Sequence, residues 1–381
     1  MSRVPGLDTL RAIAIVWVML FHSYLIGGLG DGFGQLERSG WMGVDLFFVL
    51  SGYLIGSQVL NSLKANGRLD FVAFYSRRAT RILPAFFVVL ALYALWPAWR
   101  ETPHMQPLWQ FFTFTFNLLF DNGDNYAFSH VWSLCVEEHF YLLFPLFALL
   151  LTRWMAAWKF ITVCTAVVLG GIALRAWLWL HLMAPALNDG AAHGLIYLRY
   201  LYYPTYARLD GLVAGVALAA CAVHRPTWMA ALQRHTFALP GFSALALTAA
   251  LLLFDGTRTQ FWPCVLGYPL VALAMAGFVA AASGESWLAR LNVPGARWLA
   301  AISYSLYLCH KGLFTLLASA LGRHLSGYGL MRFALFAAVT LVGGALLHYV
   351  VERPFLRLRD HRGRQSVRAP QREEIAADSA S

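Results

Sequence analysis

Long apolar runs broken by short polar stretches make up most of this chain. About 20 apolar residues in a helix cross a hydrocarbon layer of about 30 Å. Runs of that kind predict ten membrane-spanning helices, at 8–28, 43–61, 80–99, 131–151, 160–181, 207–223, 236–254, 262–282, 298–320 and 330–351. The stretch Leu108–Phe120 is apolar but too short to cross, and reads as a re-entrant or interfacial segment on a long loop. The first run begins at Leu7 and lacks a small-residue cleavage site followed by a polar mature chain, so it is expected to remain as a span rather than be removed as a signal peptide. The expected fold class is an all-α polytopic transmembrane bundle over residues 1–358, with a polar, disordered cytoplasmic tail over 359–381. No internal repeat is visible.

Loop charge orients the bundle. One alternate set of loops holds Lys64, Arg68, Arg77, Arg78, Arg153, Lys159, Arg225, Arg234, Arg290 and the basic tail. The opposite set holds Asp31, Glu37, Asp121, Asp124, Asp189 and Asp255, with scattered Arg38, Arg100, Arg199, Arg258 and Arg323. Basic loops stay inside. Both termini are therefore expected in the cytoplasm, with the chain integral to the cytoplasmic (inner) membrane.

Composition supports the same picture. Of 381 residues, 59% are hydrophobic and only 13% charged, and the mean hydropathy is +0.58. A soluble domain is about 25% charged, so this chain lacks the polar surface to cover itself in water. Aromatic residues reach 15%, which suits rings anchored at lipid–water interfaces. The net charge of +10 resides in short loops and the tail Arg353–Arg372, so it points to topology and anionic headgroups, with no nucleic-acid partner expected. Cys135, Cys164, Cys221, Cys264 and Cys309 lie in apolar stretches without metal-ligand spacing, and neither disulfides nor zinc is expected.

Charges inside spans cost on the order of 2.5–3.5 kcal/mol each at the centre, which makes each one a candidate for function. In the first span, Asp8, Arg11 and His22 lie near one stripe, with Arg11 and His22 about 16 Å apart along an ideal helix. Arg78 and Arg81 share a face where the third span opens, a pair suited to clamping phosphate at the cytoplasmic surface. The bland alternative is ordinary positive-inside decoration, which explains Arg77 better than Arg81. On the outer side, Asp45 opens span two, His130, Trp132, Glu137 and Glu138 lie in span four, and Arg208 and Asp210 open span six. Convergence of Asp45, Glu137, Arg208 and His22 would form a polar outer pocket; a structural ion-pair network is the alternative. His310 in span nine reads either as pocket lining or as packing. Glu352 and Arg353 read as a structural pair, and His181 and His348 as packing residues.

Taken together, these segments resemble the acyltransferase family 3 membrane proteins, the O-antigen and exopolysaccharide O-acetylase type. The matching stretches run in order: Leu7-Asp8-Thr9-Leu10-Arg11 with His22, then Gly43-Val44-Asp45 through Ser51-Gly52-Tyr53, then Arg78, Arg81 and Pro84. They continue with Trp132-Ser133, Glu137-Glu138, Tyr141 and Pro145, then Arg208-Leu209-Asp210, then Ser303 to His310, and finally Glu352-Arg353-Pro354-Phe355. The resemblance implies an Arg-x10-His pair, met by Arg11 and His22, with His22 as the essential catalytic histidine. It also implies an Arg-x-x-Arg pair, met by Arg78 and Arg81, and acyl-CoA as donor. Thr9, His139, Cys309 and Lys311 depart from the residues usual in the family. Many relatives carry a fused esterase-like domain that is not expected here, which leaves acceptor handling to the membrane domain or to a separate periplasmic or glycan-assembly partner.

The expected function is O-acyl transfer, of an acetyl group, from cytoplasmic acyl-CoA to a hydroxyl of an envelope or exported carbohydrate, with no permanently bound cofactor and no metal. Arg78, Arg81 and Arg11 would hold the donor phosphates, and the pantetheine arm would thread between spans one and three to His22. His22 would act as general base or carry the acyl group briefly, and Asp45 or Glu137 would orient its ring or bind the acceptor. His130, Trp132, Arg208, Asp210 and His310 would line the acceptor pocket. The alternative is a transporter or flippase whose buried charges line a path.

Overall fold

A computed structural model of the chain describes residues 4–28, 34–121, 125–152, 157–321 and 329–359. The loop charges Asp31, Asp124, Arg153 and Arg323, and the tail from residue 360 onward, lie outside the described residues. Ten principal helices occupy the ten expected ranges: α1 (Pro5–Phe21), α2 (Met42–Asn66), α3 (Phe71–Leu95), α4 (Val131–Thr152), α5 (Ala157–Leu178), α6 (Asp210–His224), α7 (Ala238–Leu253), α8 (Tyr268–Ala282), α9 (Ala296–Leu321) and α10 (Gly329–Leu347). No named strand occurs among the described residues, as hydrocarbon demands of any backbone that cannot close a barrel. Seven helices among the described residues are long and apolar enough to cross a membrane, or eight if α6 and the following Pro226–Gln233, bent by 114°, form one span. At 16 residues, α7 is short for a crossing.

The surface inverts that of a soluble protein. Leu142, Leu143, Leu146 and Phe147 of α4, Val342 and Leu346 of α10 and Val350 just beyond it point outward, whereas Arg175 and Arg208 are among the largest fully buried side chains. In lipid, apolar side chains can face out and polar ones must find partners within the bundle. The centre is α2: 78% of its apolar stretch is buried, against 11% for the stretch Lys159–Ala186 that contains α5. Glycines let α2 and α6 touch. A Cβ on Gly52 would sit 2.2 Å from the Leu212 carbonyl oxygen, and one on Gly215 equally close to that of Val49, so this seam requires small residues.

Three departures from expectation have a local reason. The third span begins at Phe71 rather than near residue 80, because Asp70 caps it by accepting from the Ala73 N–H at 2.9 Å. Arg77, Arg78 and Arg81 consequently lie within the helix. The first span tightens into a 3-10 turn at His22–Ile26 and stops where Gly27 and Gly28 take φ of 90° and 77°, a conformation open to glycine. Leu108–Phe120 splits into Leu108–Phe112 and Phe116–Leu119 around Phe114 at φ 55°.

The expected Glu352–Arg353 pair is corrected. Glu352 is buried and accepts from the Ser305 hydroxyl at 2.8 Å and pairs with His348 Nδ1 at 2.9 Å. Arg353 instead lies over the Tyr349 ring. His348, read as a packing residue, is thus half of a buried polar pair. The i, i+4 spacing of His348 and Glu352 places the two on one face of the helical turn.

Candidate functional site

Two cavities inside the bundle adjoin, with Val44 and Tyr307 as shared walls. The first, the inner cavity, holds about 320 Å³ between α1, α2, α3, α4 and α9. Arg11 of α1 and both Arg78 and Arg81 of α3 line it, together with Glu137, Glu138 and Tyr141 of α4. Helical spacing explains the arginine pair: three residues apart on α3 they share one face. Arg78 Nη2 donates to Gln58 Oε1 at 2.8 Å and its guanidinium lies 5.6 Å from the Tyr141 ring centroid. Glu137 accepts from the Tyr141 hydroxyl at 2.6 Å, and that hydroxyl also reaches Ser51 Oγ at 3.3 Å.

The outer cavity, of about 500 Å³, is lined by His22, His130, Trp132, Trp41, Lys311, Arg258 and several tyrosines. His22 sits in the tight turn that closes α1, and three imidazoles gather there. Ring centroids are 4.8 Å apart for His22 and His310, 5.1 Å for His130 and His310, and 6.4 Å for His22 and His130. Their hydrogen bonds fix the tautomers of the neutral rings. His310 Nδ1 lies 2.7 Å from the Tyr307 carbonyl oxygen, which can only accept, so Nδ1 carries the proton and Nε2 a lone pair. His22 Nδ1, 3.0 Å from that Nε2 and 3.0 Å from the Val18 carbonyl oxygen, must then be the donor. This leaves a lone pair on His22 Nε2. His130 is turned the other way: Nε2 donates to the Leu308 carbonyl oxygen at 3.2 Å, and no described group bonds its Nδ1.

Val44 and Tyr307 line both cavities. The Tyr307 hydroxyl donates to the His130 carbonyl oxygen at 2.9 Å, and the Ser133 hydroxyl, which lines the inner cavity, donates to Tyr307 Oη at 2.6 Å. This partition comes from α2, α4 and α9.

The residues singled out from sequence fall into three places. Arg11, Arg78, Arg81 and Glu137 share the inner cavity; His22, His130 and Trp132 share the outer one, with His310 buried directly behind His22. The third group lines neither. Arg208 Nη2 bridges both carboxylate oxygens of Asp45 at 2.8 and 2.9 Å, and its guanidinium packs among the rings of Tyr268, Tyr202 and Trp132, at 4.0, 4.8 and 5.2 Å from their centroids. Asp210 receives two bonds from Arg175, at 2.8 and 3.1 Å. So Asp45, Glu137, Arg208 and His22 do not form one outer pocket. Asp45 is occupied by Arg208, and Glu137 faces the inner cavity about 10 Å further along α4 than His130; the groups at His22 Nδ1 are the Val18 carbonyl oxygen and His310 Nε2.

Sequence reasoning passed over three groups. Arg175 is a single cation inside an apolar span, a signal that marks an inward-facing residue. Lys311 forms a buried ion pair with Glu101 at 2.7 Å and donates to Ser129 Oγ at 3.0 Å; it stood out only as a departure from family pattern. Arg258, read as a loop charge, enters the outer cavity over the rings of Phe21 and Trp41, 5.1 and 5.8 Å from their centroids.

The fold and cavities define a polytopic helical membrane protein that turns its ionisable groups inward around two adjoining chambers. The family model described as "Acyltransferase domain" matches residues 4–349, and the chain belongs to this acyltransferase 3 family. It is similar to the peptidoglycan O-acetyltransferase OatA of Listeria monocytogenes, 25% identical over 373 residues that cover 92% of this chain and 55% of that protein. It is also similar to the Bacillus subtilis protein named "Putative peptidoglycan O-acetyltransferase YrhL", 26% identical over 382 residues that cover 92% of this chain and 54% of that one. The chain thus spans a little over half the length of the curated relatives it matches. No solved structure matches it.

Proposed function

We propose that the chain is a membrane O-acyltransferase that moves an acetyl group from cytoplasmic acetyl-CoA in the inner cavity to a carbohydrate hydroxyl in the outer cavity. The observation that carries this reading is the junction of a cationic chamber with a histidine chamber at Val44 and Tyr307. Loop charge favours ten spans with both termini in the cytoplasm of a cell whose inner membrane holds the chain. Arg11, Arg78 and Arg81 would then meet the donor's phosphates from the cytoplasmic side, where guanidinium groups offer charge and paired donors. The pantetheine arm would pass the Tyr307 partition and bring the thioester carbonyl to His22.

The chemistry follows from the tautomer. His22 Nε2 has the lone pair to take the proton of an acceptor hydroxyl while the hydroxyl oxygen attacks the thioester carbonyl. His310 accepts from His22 Nδ1 and holds the ring in that state. The C–S bond breaks, and the departing thiolate takes the proton from His22, leaving free thiol and ester. The relatives' names point to an envelope glycan, peptidoglycan among them, as acceptor.

The test is ester-linked acetate on envelope glycans of cells carrying the chain or its His22→Ala variant at equal membrane levels. Acetate well above that of cells lacking the chain, and lost in the variant, is expected. Equal acetylation by both would overturn the role of His22. Solute uptake that depends on the chain, with no change in esters, would favour transport instead.

A further inference from the structure

Cations in the outer cavity are unequally compensated. Lys311 is neutralised within the protein: its ammonium lies 2.7 Å from Glu101, and both side chains are at most 5% exposed. Arg258 has no such partner. Among the described residues no carboxylate lies within ion-pairing distance of its guanidinium, which meets the ring faces of Phe21 and Trp41 instead. The buried arginines Arg208 and Arg175 are matched by Asp45 and Asp210, whereas Arg258 is half-buried. Among the described residues, Arg258 is therefore the cation of the chamber without a carboxylate partner. Ring faces give an arginine about 0.5–2 kcal/mol but leave its donors unused. A cation in a partly desolvated cavity gains most from an anion that brings bidentate oxygen acceptors.

The rest of the wall suits a sugar. Tyr24, which is exposed, and half-buried Tyr126 line the cavity beside the buried Trp41, Trp132 and Tyr202, and aromatic rings of this kind offer flat apolar faces with polar edges against which a pyranose ring can rest while its hydroxyls find donors and acceptors. We infer that the outer cavity is built for a carbohydrate that carries an anionic group, carboxylate or phosphate, and that Arg258 holds this group while a hydroxyl lies at His22. The inference rests on the reading of the outer cavity as the acceptor site. Arg258 is the specificity-determining residue: it selects charged over neutral sugars and takes no part in the proton transfer.

Isothermal titration of the full chain in lipid nanodiscs tests this, using a glucuronic-acid disaccharide, its glucose counterpart and the same glucose disaccharide bearing one phosphate. The unaltered chain is expected to bind at least one charged ligand about tenfold more tightly than the neutral one. Whichever it prefers identifies carboxylate or phosphate as the source of the anion. The ratio should fall towards one in Arg258→Gln, persist in Arg258→Lys, and shrink with added salt in the unaltered chain. No preference for either charged ligand, or a preference that Arg258→Gln leaves intact, would overturn the inference. His22→Ala separates the two proposals: it should keep the charge preference while losing transfer. A preference kept in a chain that never acetylates any glycan would overturn the proposed function and leave the anion site standing.

Discussion

The inner and outer cavities share Val44 and Tyr307 as walls, yet their polar groups solve different problems. The inner one gathers three arginines and two glutamates whose reach extends from α1, α3 and α4 into a common space. Its strength is charge, suited to holding a polyanionic ligand in place. The outer one gathers imidazoles whose tautomers are set by backbone carbonyls, with flat aromatic walls. Its strength is proton handling. The two chambers thus differ in kind, and under the proposed function the inner one would grip the donor while the outer one activates the acceptor.

Substitutions can break the comparison or sharpen it. The largest effect is expected from His22→Ala, which should lower transfer about 10²–10⁴-fold while leaving acetyl-CoA binding to the inner cavity unchanged in a filter-binding assay. Asp45→Ala, outside both cavities, should act on the fold: it strands a buried Arg208, at a cost of about 3–5 kcal/mol, seen as a lower Tm in nanodiscs. Normal stability with lost transfer would return Asp45 to the reaction. The paired Arg78→Ala/Arg81→Ala change should weaken acetyl-CoA binding about 10–100-fold and leave acceptor binding intact. An equal loss on both sides would mean the cavities are not distinct. His310→Ala should reduce kcat about tenfold with little change in either KM, and His310→Gln should recover part of it, because its amide oxygen can accept from His22 Nδ1. Smallest is Tyr307→Phe, which removes the bond to the His130 carbonyl and should slow transfer about threefold, an effect on kcat that would report on the partition.

Much of this contrast was legible along the chain, and some was not. Span positions follow from apolar run length, a property of neighbouring residues, and the helices fall where those runs lie. Arg78 and Arg81 share a face because helical spacing alone puts them there. His22 was found as an ionisable group where lipid would otherwise be. What the chain order concealed were partners. His310 meets His22 across 288 residues, and Arg208 meets Asp45 across 163; no local spacing signals either. Glu137 and His130 do share a helix face, but the partition by Tyr307 from α9 sends them to opposite chambers. Arg175 and Lys311 went unassigned because each finds its counter-charge on a distant element, Asp210 and Glu101.

The most direct test is the sidedness of transfer. Proteoliposomes are prepared with the chain in one orientation, established by protease access to its C-terminal tail. Radiolabelled acetyl-CoA is supplied on the tail side, and a glycan acceptor is sealed on the opposite side. Label should become ester-linked to the enclosed glycan, and this should stop in Arg78→Ala/Arg81→Ala and in His22→Ala. Label that reaches only glycan placed on the same side as acetyl-CoA would contradict a donor chamber and an acceptor chamber joined through the bundle.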